Sequence, residues 1–560
     1  MTSKQSGEGK MTGGQALVAQ LIEEGVTDIF GIPGIQLDWA VDAVREQSNR
    51  IRYVMPRHEQ ATSYMADGYA RTTGREGVYM VVPGPGMLNS LAGLATAYAC
   101  NSRVLCIVGQ IPSHAIGKGM GMLHEIPDQS GILKSLTKWH GIARTPDEIP
   151  GLVHEAFVQL RSGKPGPVAL EVPPDVLQAR GSPVIVPRAE FRPTAPSADA
   201  VAEAVKILSS AKFPVIYAGG GAAASGAGKA IADLAERLQA PVVMDENARG
   251  LIDDRHPLAL PTFGGRAAFP HADAIVVLGS RFFDGHGHPI YEGDHAKYIY
   301  VNIDPAAAAA PRRTGLHLKA DVSSAIALLL KELPGEERPS VVDKAQAIRD
   351  WGNIQIRTIK PQVDYSAAIR SSMDDDDILV SELTQIGYFS NVGFPVHGPR
   401  SYITPGYQGT LGYGFNTALG AAYGGEGRRV VSLNGDGGFG WGMQELATAS
   451  RDKVDLSIVV FVDGHYGNVK RIQKRVFGVN FAVDLANPDF AQLAGSFGLP
   501  FEAVDSPAGL GEALTKAKKA GGPALIAVSV GEMPSAWHLI HPFSPPPSPP
   551  PANPLGEPTK

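Results

Sequence analysis

Val430-Val431-Ser432-Leu433-Asn434-Gly435-Asp436-Gly437-Gly438-Phe439 is the stretch on which the fold turns. A short, mostly apolar run opens directly into a Gly-Asp-Gly-Gly turn, as expected of a buried parallel strand that ends at a sheet edge. Twenty-seven residues after Asp436, a second apolar run, Leu456 to Val462, ends in Asp463-Gly464-His465. Two adjacent strands would then deliver Asp436 and Asp463 to the same edge. Such hard oxygen donors suit Mg²⁺, which takes one or two carboxylates and completes its shell with phosphate oxygens and water. The glycines let the backbone approach phosphate, and a helix expected from about Gly440 would offer its N-terminal amides. A lone Gly-Asp-Gly is most often only a tight turn. The second strand and its acid make this one a metal–diphosphate clamp.

Around this clamp, three segments alternate short apolar strands with amphipathic helices. That pattern predicts an α/β protein of three domains, each a mostly parallel sheet flanked by helices. The first covers 11–180, with strands at Asp28 to Phe30, Arg52 to Val54, Val78 to Val82, Val104 to Val108 and Val168 to Val172. The second covers 198–335, with strands at Pro214 to Ala218, Pro241 to Met244, Ala274 to Leu278 and Tyr298 to Ile303. Its Gly219-Gly220-Gly221 reads first as a turn and second as a nucleotide cradle, because dinucleotide spacing is missing. A charged helical connector, Lys344 to Thr358, leads to the third, 361–537. The tail, 541–560, carries nine prolines and is expected to be extended and disordered.

At 560 residues the chain is too long for one core. Its net charge of −6 without a basic block argues against nucleic acid as a partner. The two cysteines, Cys100 and Cys106, offer no disulfide framework. No apolar run reaches the ~18 residues of a membrane span. Met1 to Lys10 is polar and lacks the apolar core of a signal peptide. A cytoplasmic enzyme is the expectation.

The spacing from Asp436 to Asp463 resembles the thiamine diphosphate fingerprint, which opens on GDG and closes on an Asn-containing turn. Asp463 stands where that family usually has Asn. The resemblance implies that Asp436, Asp463 and the backbone carbonyl of His465 hold Mg²⁺, with Gly435, Gly437, Gly438, Tyr466 and Gly467 around the diphosphate. Val54-Met55-Pro56-Arg57-His58-Glu59-Gln60-Ala61 is similar to the family's segment carrying the carboxylate that activates the aminopyrimidine, which assigns that role to Glu59. Taken alone, Glu59 would be an ordinary helix-start acid. Gly31-Ile32-Pro33-Gly34 resembles the early turn facing the pyrimidine, and Val82 to Asn89 the loop and helix after the third strand. Gly409-Thr410-Leu411-Gly412 resembles the segment that sets Leu411 beneath the cofactor. The likeness runs over about 11–537 and is greatest to acetolactate synthase large subunits and 2-oxo acid decarboxylases. It implies a homodimer or homotetramer with active sites between subunits.

In that group the reaction makes or breaks a carbon–carbon bond next to a carbonyl, commonly of a 2-oxo acid. Several acetolactate synthase residues are replaced here. Ile35 and Gln36 follow Gly34, Leu123-His124-Glu125 replaces Phe-Gln-Glu, Pro174 replaces Lys, and Ile472 replaces Trp. Gly285 and Lys164 stand where flavin-contacting arginines would be, which argues against FAD; FAD or ADP in the central domain stays open. His114 and His124 flank the Gly117 to Gly121 loop and are candidate proton carriers, although a lone His is more often structural. Gln110 is expected to face the cofactor cleft, and Lys470 and Arg471 either attract an anionic substrate or are simply solvated. Two alternatives accompany the decarboxylase or carboligase reading: a lyase of 2-hydroxyacyl compounds such as coenzyme A thioesters, and a cofactor-binding protein without turnover.

Overall fold

The computed structural model describes residues 10–191, 193–284, 287–290, 295–541 and 546–558. Three six-stranded sheets organise them. The first contains β1 (Asp28–Gly31), β2 (Arg52–Val54), β3 (Gly77–Val81), β4 (Val104–Gly109), β5 (Trp139–Ile142) and β6 (Val168–Val172), in the order β2-β1-β3-β4-β6-β5. Its helices include α1 (Glu59–Thr73), α2 (Pro85–Cys100) and α3 (Gln129–Leu136). The second contains β7 (Pro214–Ala218), β8 (Val242–Met244), β9 (Ala259–Leu260), β10 (Ala274–Leu278), β11 (Lys297–Val301) and β12 (Gly315–Leu318), in the order β9-β8-β7-β10-β11-β12. Helix α4 (Val342–Ile356) follows it. The third contains β13 (Ile378–Ser381), β14 (Tyr402–Ile403), β15 (Val430–Gly435), β16 (Leu456–Val462), β17 (Phe501–Val504) and β18 (Ala524–Ser529), in the order β14-β13-β15-β16-β18-β17. It carries α5 (Tyr413–Gly424), α6 (Leu446–Asp452) and α7 (Gly467–Phe477).

Every pairing within these sheets is parallel. That explains the continuous apolar runs: β3, β4, β7 and β10 are buried on both faces and have no solvent side to alternate toward. A separate antiparallel pair joins Met11–Thr12 to Arg180–Gly181. The chain folds as two compact units. One holds the described residues of the N-terminal segment with Leu419–Gly424 and Gly442–Asp452, and the other holds the remaining chain from Pro193 onward.

The strand orders locate the crevices. In each sheet the chain lays strands outward on one side, then returns to start the other side, and ligands favour the carboxyl edge at that reversal. The reversal falls between β1 and β3, between β7 and β10, and between β13 and β15. The loops leaving these strands are Ile32 to Gln36 with Val82 to Gly84, Gly219 to Gly221 with Gly279 to Arg281, and Glu382 to Thr384 with Asp436 to Gly438.

Two expectations are corrected. The helix foreseen from Gly440 is instead a four-residue turn, Asp436–Phe439, and regular helix resumes only at Leu446. Gly437, Gly438, Gly440 and Gly442 make a long helix costly there. The proline-rich tail has no helix or strand over 546–558, but it is fastened. Trp351 Nε1 donates to the Pro551 carbonyl at 2.9 Å, and Asn553 Nδ2 donates to that of Ala267 at 3.2 Å. Gly285 lies outside the described residues. Among the described residues, no helix is long and apolar enough to cross a membrane.

Candidate active site

In the third sheet, β15 and β16 pair so that Gly435 lies opposite Phe461, and each strand then runs into its acid. Asp436 is buried and heavily held. Its Oδ2 accepts from Gly464 N at 2.8 Å and Asn487 Nδ2 at 2.7 Å, while Oδ1 accepts from Gly437 N at 3.0 Å. Asp463 accepts from Gln385 Nε2 at 2.9 Å and His465 N at 3.0 Å. Burial pushes the Asp463 carboxyl up, and the nearby charge of Asp436 pushes it further. Two acids drawn together without a partner cation repel each other, so this donor set fits a hard divalent ion. The bridge between His465 and Asp484 is closed by Tyr466 N to Val483 O and Leu485 N to Gly464 O, both 2.8 Å, and leaves the His465 carbonyl outside the ladder.

The glycines are sterically required. A Cβ on Gly437 would come within 2.9 Å of the Tyr466 ring, and one on Gly467 within 2.6 Å of Asp463 Oδ2. One on Gly438 would sit 2.1 Å from Glu382 Oε2. Glu382, fully enclosed behind the loop, accepts from Gly412 N at 3.0 Å and Gly435 N at 3.3 Å, and also from the Tyr413 and Gly414 amides. Burial outweighs these bonds and lifts its carboxyl to about 7. Glu382 thus ties the segment carrying Leu411 to the Gly435–Gly438 turn. Gly409 takes a left-handed φ of +56°, and Leu411 is 39% exposed.

In the first sheet, His58 caps α1, its Nδ1 accepting from Gln60 N at 3.1 Å, which leaves Glu59 as the first helical residue. Asn89 Nδ2 donates to Glu59 Oε2 at 3.1 Å. Gly86 Cα faces the same carboxylate, and Val82 packs on both Gly34 and Gly86. Pro33 is exposed beside them. The turn before Glu59 is pinned from far along the chain. Buried Glu445 accepts from Arg57 N at 2.9 and 3.0 Å and from His58 N at 3.0 Å, and Thr448 Oγ1 donates to it at 2.7 Å.

The remaining candidates separate. His124 is half-buried with a left-handed φ of +69°, and its backbone packs on Gly84. His114 is exposed on a short turn that Ser113 fixes to Asp175, outside the contacts around Glu59. Gln110 does not face the cleft as expected. Its amide is spent internally, Nε2 on buried Glu171 at 2.7 Å and Oε1 on Ile111 N at 2.7 Å. Lys470 lies 2.8 Å from His465 Nε2, and Arg471 donates to Asn468 Oδ1 at 2.7 Å, so neither stands simply in solvent. Asn89, Glu382, Gln385, Glu445 and Asn487 were not singled out from sequence. Only Asn89, inside a quoted motif, carried any signal.

The central crevice fits a dinucleotide poorly. Gly221 N is spent on Gly279 O at 2.8 Å, and Asp245 presses against Gly219. Burial and the neighbouring Glu246 push the Asp245 carboxyl well up.

Comparison with known proteins agrees with this geometry. The pattern described as "Thiamine pyrophosphate enzyme, N-terminal TPP binding domain" matches residues 11–132, the central domain of the same enzymes matches 201–329, and the C-terminal TPP binding domain matches 384–528. The chain belongs to the thiamine pyrophosphate enzymes. It is 33% identical to an acetolactate synthase of Arthrospira platensis over 95% of this chain and 96% of that one. It is 31% identical to the acetolactate synthase isozyme 1 large subunit of Escherichia coli over 96% of each chain. It is 33% identical to a "Probable 2-ketoarginine decarboxylase" of Pseudomonas aeruginosa over 90% of each. This thiamine pyrophosphate enzyme is therefore of the acetolactate synthase and decarboxylase type.

Proposed function

We propose that the protein is a Mg²⁺-dependent 2-oxo acid decarboxylase or carboligase, cytoplasmic, working as a homodimer or homotetramer with active sites between subunits. The observation that carries the reading is the Asp436–Asp463 pair on adjacent strand ends, two acids whose like charges a cation between them would offset. Asp436, Asp463 and the His465 carbonyl would hold Mg²⁺. Gly435, Gly437, Gly438, Tyr466 and Gly467 would surround the diphosphate, with Gly409 and Leu411 beneath the ring system and Pro33 and Gly34 facing the pyrimidine. When bound, thiamine diphosphate supplies a carbon nucleophile and an electron sink for the bond next to the carbonyl.

The chain's own groups do the rest. Glu59 holds a proton at the cofactor's ring nitrogen, and Asn89 and Glu445 fix the carboxylate's position. His124 and His114 are the proton carriers proposed for the substrate side. Incubating the purified protein with thiamine diphosphate, Mg²⁺ and a panel of 2-oxo acids, with and without EDTA, tests this. Metal-dependent CO₂ release with an aldehyde or a 2-hydroxy-3-oxo acid as product is expected. Cleavage of a 2-hydroxyacyl thioester with no attack on 2-oxo acids would refute it.

A further inference from the structure

We infer that Gln36 and His124 form a subsite that reads a hydrogen-bond-donating group on the substrate's side chain, so the donor is a 2-oxo acid with a hydroxyl, carboxamide or guanidinium head. This rests on the 2-oxo acid reading above and adds the substrate's class to it.

Two buried polar atoms here lack partners. Gln36 is 6% exposed, and its Oε1 is buried with no hydrogen bond. His124 Nδ1 is likewise buried and unpaired. Buried polar atoms in native proteins are almost always satisfied, so each unpaired one calls for an explanation. The orientation of the Gln36 amide is settled chemically. Its neighbour at 3.4 Å is the Leu123 carbonyl, which can only accept, so nitrogen must face it and oxygen must face away. The unpaired atom is therefore an acceptor that waits for a donor.

The two residues sit on loops that meet: Gln36 Nε2 reaches the Leu123 carbonyl, one residue before His124, and the loop packed on the His124 backbone leads to Glu59. Gly109 touches both Pro83 and the Gln36 Cβ, while Gly84 packs against the His124 backbone. Pro83 and Gly84 belong to the same loop as Val82, which contacts Gly34 and Gly86, and Gly86 faces the Glu59 carboxylate. This is the reversal between β1 and β3, where an open α/β sheet takes its ligands.

The position of His124 is also held at a cost. Its φ of +69° lies in the left-handed region, uncommon for a residue other than glycine, although His enters it more readily than most. The surrounding loop enforces it. Glu125 accepts from Met120 N at 3.3 Å and Met122 N at 2.9 Å, and Gln129 Oε1 accepts from Gly84 N at 3.0 Å. Such strain accumulates where a side chain must be presented to a ligand.

The donor set selects the ligand. A hydroxyl would donate to Gln36 Oε1 and accept from His124 Nδ1–H. A carboxamide or guanidinium would donate to both, with the neutral ring protonated on Nε2. A purely alkyl side chain would leave both atoms unpaired, and a second carboxylate would set its oxygen against Gln36 Oε1.

The test uses the full-length holoenzyme with thiamine diphosphate and Mg²⁺. It measures kcat/KM for 2-oxo acids of matched length ending in methyl, hydroxyl, carboxamide, guanidinium or carboxylate. The expected result is a preference of about tenfold or more for a donor-bearing head over methyl, equivalent to about 1.4 kcal/mol. Gln36→Met keeps the shape and should collapse that ratio. His124→Asn, which tolerates the left-handed backbone, should do the same. Gln36→Glu should shift the preference toward guanidinium. Thiamine diphosphate affinity, read by fluorescence titration, shows that each variant is folded. Equal use of methyl and polar substrates, or an unchanged ratio in both Gln36→Met and His124→Asn, overturns the assignment. So does an ordered water bridging the two atoms that stays in place in a complex with a substrate analogue. Consumption of no 2-oxo acid while thiamine diphosphate still binds overturns the parent reading, and the subsite falls with it.

Discussion

Replacing Glu445 by alanine should release the turn that presents Glu59. The carboxylate accepts both the Arg57 and His58 amides, and Glu445 itself is 0% exposed. Each buried N–H left unsatisfied costs about 1–3 kcal/mol, so the two together should weaken local closure by roughly 2–6 kcal/mol. Native-state hydrogen exchange reads this directly, because local opening sets the exchange rate. Even the lower bound corresponds to about thirtyfold faster exchange in a peptide covering Arg57 and His58. Glu445→Gln is the control. Its one remaining oxygen can still accept the amides and its nitrogen can donate to Thr448 Oγ1, so acceleration should stay under about tenfold. If the alanine variant protects these amides as well as the parent does, Glu445 does not hold the turn.

Further outcomes follow from the same geometry. Glu59→Gln should slow C2 proton exchange of bound thiamine diphosphate by about 10²–10⁴-fold, measured by quenched-flow NMR; an unchanged rate would remove Glu59 from its role. Asp436→Ala removes a charged ligand and the acceptor of Gly464 N and Asn487, so Mg²⁺-dependent thiamine diphosphate affinity should fall more than about a hundredfold in calorimetry. Glu382 titrates near 7 in the folded protein, against 4.5 when solvated. A raised folded value means stability present at low pH and lost as pH climbs through that window. The parent should therefore lose about 3 kcal/mol relative to Glu382→Gln between pH 4.5 and 7, with no further change above it. Parallel stability curves for the two proteins would show that the Glu382 charge is not buried.

The parts of the fold that could be read in advance are those whose cause is local. β15 and β16 are apolar runs ending in acids, and burial on both faces makes such runs continuous. The edge strands lack that imprint. Trp139–Ile142 is half-exposed and Tyr402–Ile403 is two residues long, so neither forms a distinctive run. The site divides in the same way. Asp436, Asp463 and Glu59 sit at strand or helix ends, where a short motif marks them. Glu445 lies 388 residues from the amide it holds, and Asn487 lies 51 residues from Asp436. Glu382 and Gln385 occupy a stretch whose meaning appears only when β13 is laid beside β15. Gln110 misled for the complementary reason: a strand end fixes where a residue lies, and its partners decide where its amide is spent.

The seating of Pro551 makes Trp351 a natural reporter. Its indole stacks obliquely on Phe263 at 5.7 Å and donates to Pro551, and it is 9% exposed. Proteolytic trimming upstream of Pro551 would strip that nitrogen of its acceptor and wet the ring. A red-shifted emission band would then distinguish clipped molecules from intact ones in a preparation, and an affinity tag appended beyond Lys560 would carry the same optical warning if it pulled Pro551 from the Trp351 indole.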